Sequence, residues 1–381
     1  MRRIALLTLG VVGLCGCEDS SPTAAVSPEL AKSGAGGVTV TSLVPAREGS
    51  AAEDVNDAGQ VVLNTLTPQY TPLRAFLWRP AQPRGTTGTL EDLGTLGGAG
   101  AQVKAINNQG QAVGGSGDAA GIGRAFLWTD GGGMQDLGLA QDWTGAAAVD
   151  INESGQVAGY VSSGAGQRAA VWSVTVDAGG TVQVLDRENL GTLPDGGSSV
   201  SFGMNNLGQV AGYAYYPAAG PNRAVLWTRT ATGWMIEDLG VFPGDNSSTA
   251  YGINDQGQVV GLSYPPQGCA HAILWSTRDG RKTGMRALET LGGCGAEAWG
   301  INNQGQVTGR SAPAHGGQEA TLWTLALDGS TMGIQDLGRL SGTAFSLGIE
   351  LSSTLSGTTL VAGLSQPTSG GLRATLWAVQ K

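Results

Sequence analysis

The sequence predicts an all-β fold, a seven-bladed β-propeller of four-stranded antiparallel blades closed by the N-terminal strand joining the last blade. Three observations carry that expectation. One repeat recurs seven times, each copy has room for four short strands, and the chain starts and stops at different points within the repeat. The copies are clearest at tryptophan, which closes a short apolar run at Trp78, Trp128, Trp172, Trp227, Trp275, Trp323 and Trp377 (RAFLW, RAFLW, RAAVW, RAVLW, HAILW, EATLW, RATLW).

The four strands follow in order. Upstream of each Trp an apolar residue is followed by Asn, two variable residues and Gly-Gln: Val55-Asn56, Ile106-Asn107, Ile151-Asn152, Met204-Asn205, Ile253-Asn254 and Ile301-Asn302, with a decayed seventh copy around Ile349-Glu350 and Gly357-Thr358. A first strand ending in Ile-Asn would turn tightly, because Asn and Gly tolerate positive φ. A second strand (QVVG, QVAGY, QVTG), a variable loop, the Trp-closed third strand and a fourth strand ending in Asp-Leu-Gly complete one blade in ~45–50 residues. No segment sustains a 3.6-residue apolar period, so no helix is expected. The 64 glycines and only 13% charged residues suit short strands joined by tight turns.

The ends of the repeat argue for closure. The last copy stops after its third strand, ATLWAVQ, while Val38 to Leu43 supplies an unmatched extra strand ahead of the first copy. Pairing the two would remove both open edges. Within the first strand the positions one and three before the Ile are small (Ala250 and Gly252, Ala298 and Gly300, Ser201 and Gly203). Strict alternation would place these on one face for close blade stacking. The Trp side chains are expected to wedge between blades, and Phe202, Tyr251 and Trp299, which share one slot, to pack between blades as well.

The N-terminus is of a different kind. Arg2 and Arg3 precede an apolar stretch, Ile4 to Leu14, too short to span a bilayer and shaped as a secretion signal. It ends Leu14-Cys15-Gly16-Cys17, which resembles a lipobox, and that resemblance implies cleavage after Gly16 and acylation of Cys17. The expected organisation is therefore a lipoprotein signal at 1–16, a lipidated cysteine and flexible tether rich in Ser, Pro, Ala and Gly at 17–37, and the propeller at 38–381. Attachment to the membrane would run through the lipid at Cys17, with export to the cell envelope, at the outer membrane or cell surface.

The repeat spellings resemble the HAF family of extracellular repeats, named for the His-Ala-Phe that opens its third strand. The matching elements here are Arg74-Ala75-Phe76-Leu77-Trp78, Arg124-Ala125-Phe126-Leu127-Trp128, His271-Ala272-Ile273-Leu274-Trp275, the I-N-x-x-G-Q turns and the D-L-G-x-L-G-G connections, and they cover nearly all of 38–381. The resemblance implies an exported propeller-type repeat protein and carries no catalytic residues with it.

Candidate sites are few. A formal charge of −9 with no clusters of Lys or Arg disfavours nucleic acid as a partner. The Asn-Gly turns offer too few oxygens for a calcium loop, and the Asp of D-L-G (Asp92, Asp136, Asp238, Asp336) recurs too regularly for a single catalytic carboxylate. His271 and His315 fall in different blades, so no transition-metal site and no cofactor is expected. Cys269 and Cys294 lie in loops that a meander sends to the same face, where a disulfide closing about 25 residues is the expectation and two free thiols the alternative. On that face Tyr215, Tyr216, Phe242 and Tyr264 form a candidate binding patch, next to Tyr213.

The function expected is that of a monomeric binding or interaction module on a rigid propeller face, taking a protein or glycan. The alternatives are a scaffold in an envelope assembly and, further off, a glycan hydrolase or lyase using the central channel. That last reading requires converging carboxylates, for which Glu53, Asp54, Asp150 and Glu297 are present but scattered over different blades.

Overall fold

The computed structural model describes residues 24–26, 29–34, 37–44, 49–66, 72–216, 220–326, 328–368 and 371–380. It is a seven-bladed β-propeller, and no helix occurs among the described residues. The innermost strands are Ser50–Val55, Gly97–Ile106, Gly145–Ile151, Ser199–Met204, Ser247–Ile253, Gly292–Ile301 and Thr343–Leu351. Blade five shows the plan, running outward through Ser247–Ile253, Gln258–Tyr264, His271–Arg278 and Arg281–Ala287, each antiparallel to the last.

Closure is as the repeat offset requires. Val38–Ser42 pairs antiparallel with Arg373–Gln380, Val40 opposite Trp377, and so completes blade seven as its fourth strand. Two short strands lie outside the predicted ring. Glu29–Gly34 adds to the outer edge of Val38–Ser42, and Ala24–Val26 to the outer edge of Gly88–Asp92 in blade one. Part of the segment read as a tether thus pairs by backbone, which needs no apolar side chains because an outermost strand offers free N–H and C=O groups. Cys17 lies outside the described residues.

Each repeated Trp faces the preceding blade. Trp275 packs with Ala211, Ala224, Leu226 and Leu239 of blade four and with Ile253, Val259 and Ile273 of its own blade. Trp78 does the same across the closing seam, against Leu360, Ala362, Ala374 and Leu376 of blade seven. All seven indoles are buried, each removing ~150–250 Å² from water.

The Asn of the tight turn does more than turn the chain. Its Oδ1 accepts from the N–H four residues on, and its Nδ2 donates to the backbone carbonyl at the same position of the next blade. Asn56, Asn107, Asn152, Asn205, Asn254 and Asn302 make six such bonds of 3.0–3.3 Å, a circular ladder around one end of the channel. Ser352 holds the seventh place and has no amide to donate. There the seam is tied by Arg84 of blade one, whose guanidinium donates to Asp57 O, Ser352 Oγ and Thr358 O. The Asp of D-L-G is structural, as its recurrence implied. Asp92, Asp136, Asp238 and Asp336 each accept from the N–H two residues on, and the first three pair with Arg74, Arg124 and Arg223.

Candidate functional site in the central channel

Strict alternation fails in every innermost strand at the same place. A β-bulge inserts one residue between Ala52 and Asp54, Val103 and Ala105, Ala148 and Asp150, Ser201 and Gly203, Ala250 and Gly252, Ala298 and Gly300, and Gly348 and Glu350. A bulge re-aims the side chain it carries. The seven extra residues are Glu53, Lys104, Val149, Phe202, Tyr251, Trp299 and Ile349, and all of them line the central channel, except that Lys104 and Glu53 reach across to each other there. The expected packing of Phe202, Tyr251 and Trp299 from blade to blade is present, and the bulge sets it on the channel side of the sheets, where the rings are partly exposed.

The channel encloses a cavity of about 1780 Å³. One wall is aromatic. Tyr251 stacks on Trp299 with centroids 4.3 Å apart and planes 8° from parallel. Phe202 meets Tyr251 at 4.9 Å and Tyr213 at 5.8 Å, and Tyr213 meets Tyr215 at 5.5 Å. Five rings from blades four to six therefore form one continuous arc. Beside it Arg310 grips Glu297 through two bonds, Nε to Oε2 at 3.0 Å and Nη2 to Oε1 at 2.7 Å. Burial raises the hydroxyl pKa of both Tyr213 and Tyr251, so both phenols stay neutral.

The other wall is acidic. Glu53 is neutralised by Lys104 at 3.0 Å and held by Asn64 Nδ2 at 2.9 Å. One residue further along the strand, the position after the bulge holds Asp54, Asp150 and Glu350 in blades one, three and seven. Ala105, Gly203, Gly252 and Gly300 take it in the others. Asp54 accepts from Val55 N–H at 2.6 Å and from Ile106 N–H of blade two at 2.8 Å; Asp150 repeats this with Ile151 at 2.7 Å and Met204 of blade four at 2.6 Å. Gly300 leaves room for Glu350: a Cβ there would lie 2.6 Å from its Oε1.

No ion pair to Lys, Arg or His reaches these three carboxyls among the described residues. Burial, opposed in part by the backbone N–H bonds and aided by nearby carboxylates, pushes Asp54 up to about 7. Burial and then Asp54 push Asp150 up to about 8. Burial, Asp54 and Asp150 hold Glu350 well above the ordinary range. The carboxylates that looked scattered in sequence, Glu53, Asp54, Asp150 and Glu297, thus meet in one cavity, and Glu350 joins them. Sequence reading missed Glu350 because the seventh turn has lost its Asn. Aligning Leu351-Ser352 with Ile-Asn would have found it.

The predicted patch divides. Tyr215 and Tyr264 are exposed at the channel mouth away from the Asn ladder. Tyr216 is exposed but not in the channel lining. Phe242 is a correction: it is half-buried between blades four and five and packs on His271 at 5.0 Å, so it belongs to the core rather than to a binding surface. Cys269 and Cys294 are bonded, with Cα atoms 5.8 Å apart. Asp245 takes the remaining interest of His271, Oδ2 to Nδ1 at 3.0 Å. Among the described residues no group of three or more His, Cys, Asp or Glu is arranged to hold a metal ion, and no helix is long and apolar enough to cross a membrane.

No family model matches the chain, and no curated protein matches it. Among solved structures it is similar to a puromycin hydrolase S511A mutant complexed with PGG, at 13% identity and a TM-score of 0.51, over 87% of this chain and 52% of that one. It is also similar to the Dos1 propeller, at 10% identity and a TM-score of 0.48, over 89% and 94% of the two chains. A gluconolactonase from Xanthomonas campestris gives 12% identity and a TM-score of 0.42, over 96% and 99%. Likeness at these identities shows the propeller fold alone.

Proposed function

We propose that this protein is an exported, lipid-anchored binding module that takes a glycan into its central channel, entering past Tyr215 and Tyr264. The observation that carries this reading is the continuous arc from Tyr215 through Tyr213, Phe202 and Tyr251 to Trp299, facing a cavity large enough for an oligosaccharide. Sugar rings present C–H faces to aromatic rings, while their hydroxyls need hydrogen-bonding groups such as Glu297 and Arg310 at the edges. A rigid wall carries little ordering cost on binding. Anchoring at Cys17, export to the outer membrane or cell surface, monomeric state and membership of the HAF repeats belong to the same proposal and rest on the sequence motifs alone.

The test is calorimetry and glycan-array binding with the full chain in detergent, against a Trp299→Ala variant. Glycan binding by the parent and its loss in the variant is the expected result; no glycan bound by either overturns the proposal. A second reading, hydrolysis or eliminative cleavage of a glycan, is favoured by the raised carboxyls Asp54, Asp150 and Glu350, which suit general acid work. It requires new reducing ends to appear with bound glycans and to vanish in Asp150→Asn.

A further inference from the structure

We infer that the channel selects a cationic saccharide, one built of amino sugars with free ammonium groups, over neutral or N-acylated sugars. This deepens the glycan reading and rests on it.

The argument starts from the cavity and its two unlike walls. Blades four to six present rings; blades seven, one and three present carboxyls one residue further along the same strands. A ligand lying against Trp299 and Tyr251 therefore meets Glu350, beside Gly300, and then Asp54 and Asp150 one layer further along the channel, toward the Asn ladder. The basic groups of the lining, Lys104 and Arg310, are already bonded to Glu53 and Glu297. Asp54, Asp150 and Glu350 are left without a cationic partner among the described residues.

The chemistry of a matching ligand follows. It needs a stacking face for the arc and a compact cation for the carboxyls. An ammonium supplies three donors and a point charge, and it is attracted by the faces of Trp and Tyr as well. An N-acetyl group at the same carbon supplies neither charge nor more than one donor. A neutral hydroxyl leaves the carboxyls to hold protons among themselves. Free amines on a sugar backbone meet both walls at once.

A pH signature is built in. Facing the three carboxyls are Glu53 and Lys104 from blades one and two, Asp57 and Glu153 at the turns, and Glu297 with Arg310 from blade six. With no cation present, burial and mutual repulsion keep protons on Asp54 and Asp150 near neutrality. An ammonium favours the ionised forms, so its binding releases protons. Affinity for the amine ligand passes through a maximum at about pH 6.5, because the carboxyls ionise as the pH rises while the sugar ammonium, more acidic than an α-amino group, is lost above about pH 7, whereas stacking of a neutral sugar is flat over that range.

The experiment is calorimetry of the full chain in detergent with a glucosamine tetramer, its fully N-acetylated counterpart and a neutral β-glucan tetramer. Parent, Asp150→Asn, Glu350→Gln and Trp299→Ala are compared at pH 5, 6.5 and 8. At pH 6.5 the expected result is at least tenfold tighter binding of the glucosamine tetramer, with that preference smaller at pH 5 and pH 8 and lost in Asp150→Asn and Glu350→Gln. Trp299→Ala should abolish measurable binding of all three. A proton exchange that changes with pH, read from the dependence of the heat on buffer ionisation, should accompany amine binding alone. Equal affinity for the three tetramers, or a preference that survives both carboxyl variants, overturns the inference while leaving the glycan reading standing. Failure of all three tetramers to bind overturns both.

Discussion

Two rings of side chains surround the axis a few residues apart, and they obey opposite rules. At the turn ring, six of seven blades carry the same Asn, each reaching the next blade's carbonyl. At the bulge ring the seven residues are all different: Glu53, Lys104, Val149, Phe202, Tyr251, Trp299 and Ile349. The turn ring must repeat because each blade presents the same backbone groups to the next, and a buried N–H or C=O left unpaired is costly. The bulge ring points into open space, where no geometric demand recurs. Repetition marks what assembles the ring; divergence at a repeated backbone feature marks where the blades were free to differ.

The largest expected effects fall on the assembling residues. Trp227→Ala removes an indole packed against Ala158, Ala169, Val171 and Leu190 of blade three, and should cost about 3–5 kcal/mol in urea unfolding. Replacing Cys269 and Cys294 by Ser releases the cross-link between the loop ahead of the third strand of blade five and the start of the innermost strand of blade six. Loss of about 3 kcal/mol is expected, and a smaller loss would mean that the loops are already held by their backbone bonds, such as Ala296 N–H to Ala270 O. Asn205→Ala takes one of two donors from the carbonyl of Asn254, which keeps Gly257 N–H, and strands the N–H groups of Leu207 and Gln209, for about 1–3 kcal/mol. If Asn205→Ala were silent, the distinction between the two rings would fail.

The acidic wall gives a prediction with a definite sign. Asp54 and Asp150 titrate at about 7 and about 8 in the folded chain, above the ordinary 3.8, so the folded state holds protons that the unfolded state has released. Stability contributed by this difference is greatest below about pH 4 and declines as pH rises toward 8. Thermal unfolding between pH 5 and pH 8.5 should show a falling melting temperature, less steep in Asp150→Asn. An unchanged slope would mean that Asp150 is ionised throughout.

How much of this was legible before the fold was seen follows the same division. The Trp runs, the Asn-Gly turns and the unmatched Val38–Ser42 strand are spelled in residues whose chemistry has one common use, so blade number, strand order and closure could be read directly. The bulge could not. It is a property of backbone register against the second strand, and no single residue type marks it, since seven types occupy it. The blade-to-blade contacts of Phe202, Tyr251 and Trp299 could be read without it, but not their place on the channel wall, and Asp54 and Asp150 stayed scattered over different blades. Phe242 was misplaced for a related reason: an aromatic residue in a connection was read as exposed, although it packs on His271 and on the apolar cluster between blades four and five.

The smallest stability effect is the one that decides most. Trp299 has the same side chain as Trp227, yet it is partly exposed to the channel, where it stacks on Tyr251 and packs at the edge of a small cluster of Ala51, Leu347 and Leu364 instead of lying fully buried between sheets. Its removal opens no closed cavity, because water in the channel can occupy the space, so Trp299→Ala should cost only about 1 kcal/mol, the order of one aromatic pair. The same change takes the largest flat surface out of the arc and should abolish glycan binding. Two tryptophans in one protein would then separate cleanly, Trp227 costing stability and Trp299 costing ligand. Should Trp299→Ala instead unfold the chain as Trp227→Ala does, the aromatic arc is part of the frame, and the bulge ring loses its claim to be the working surface.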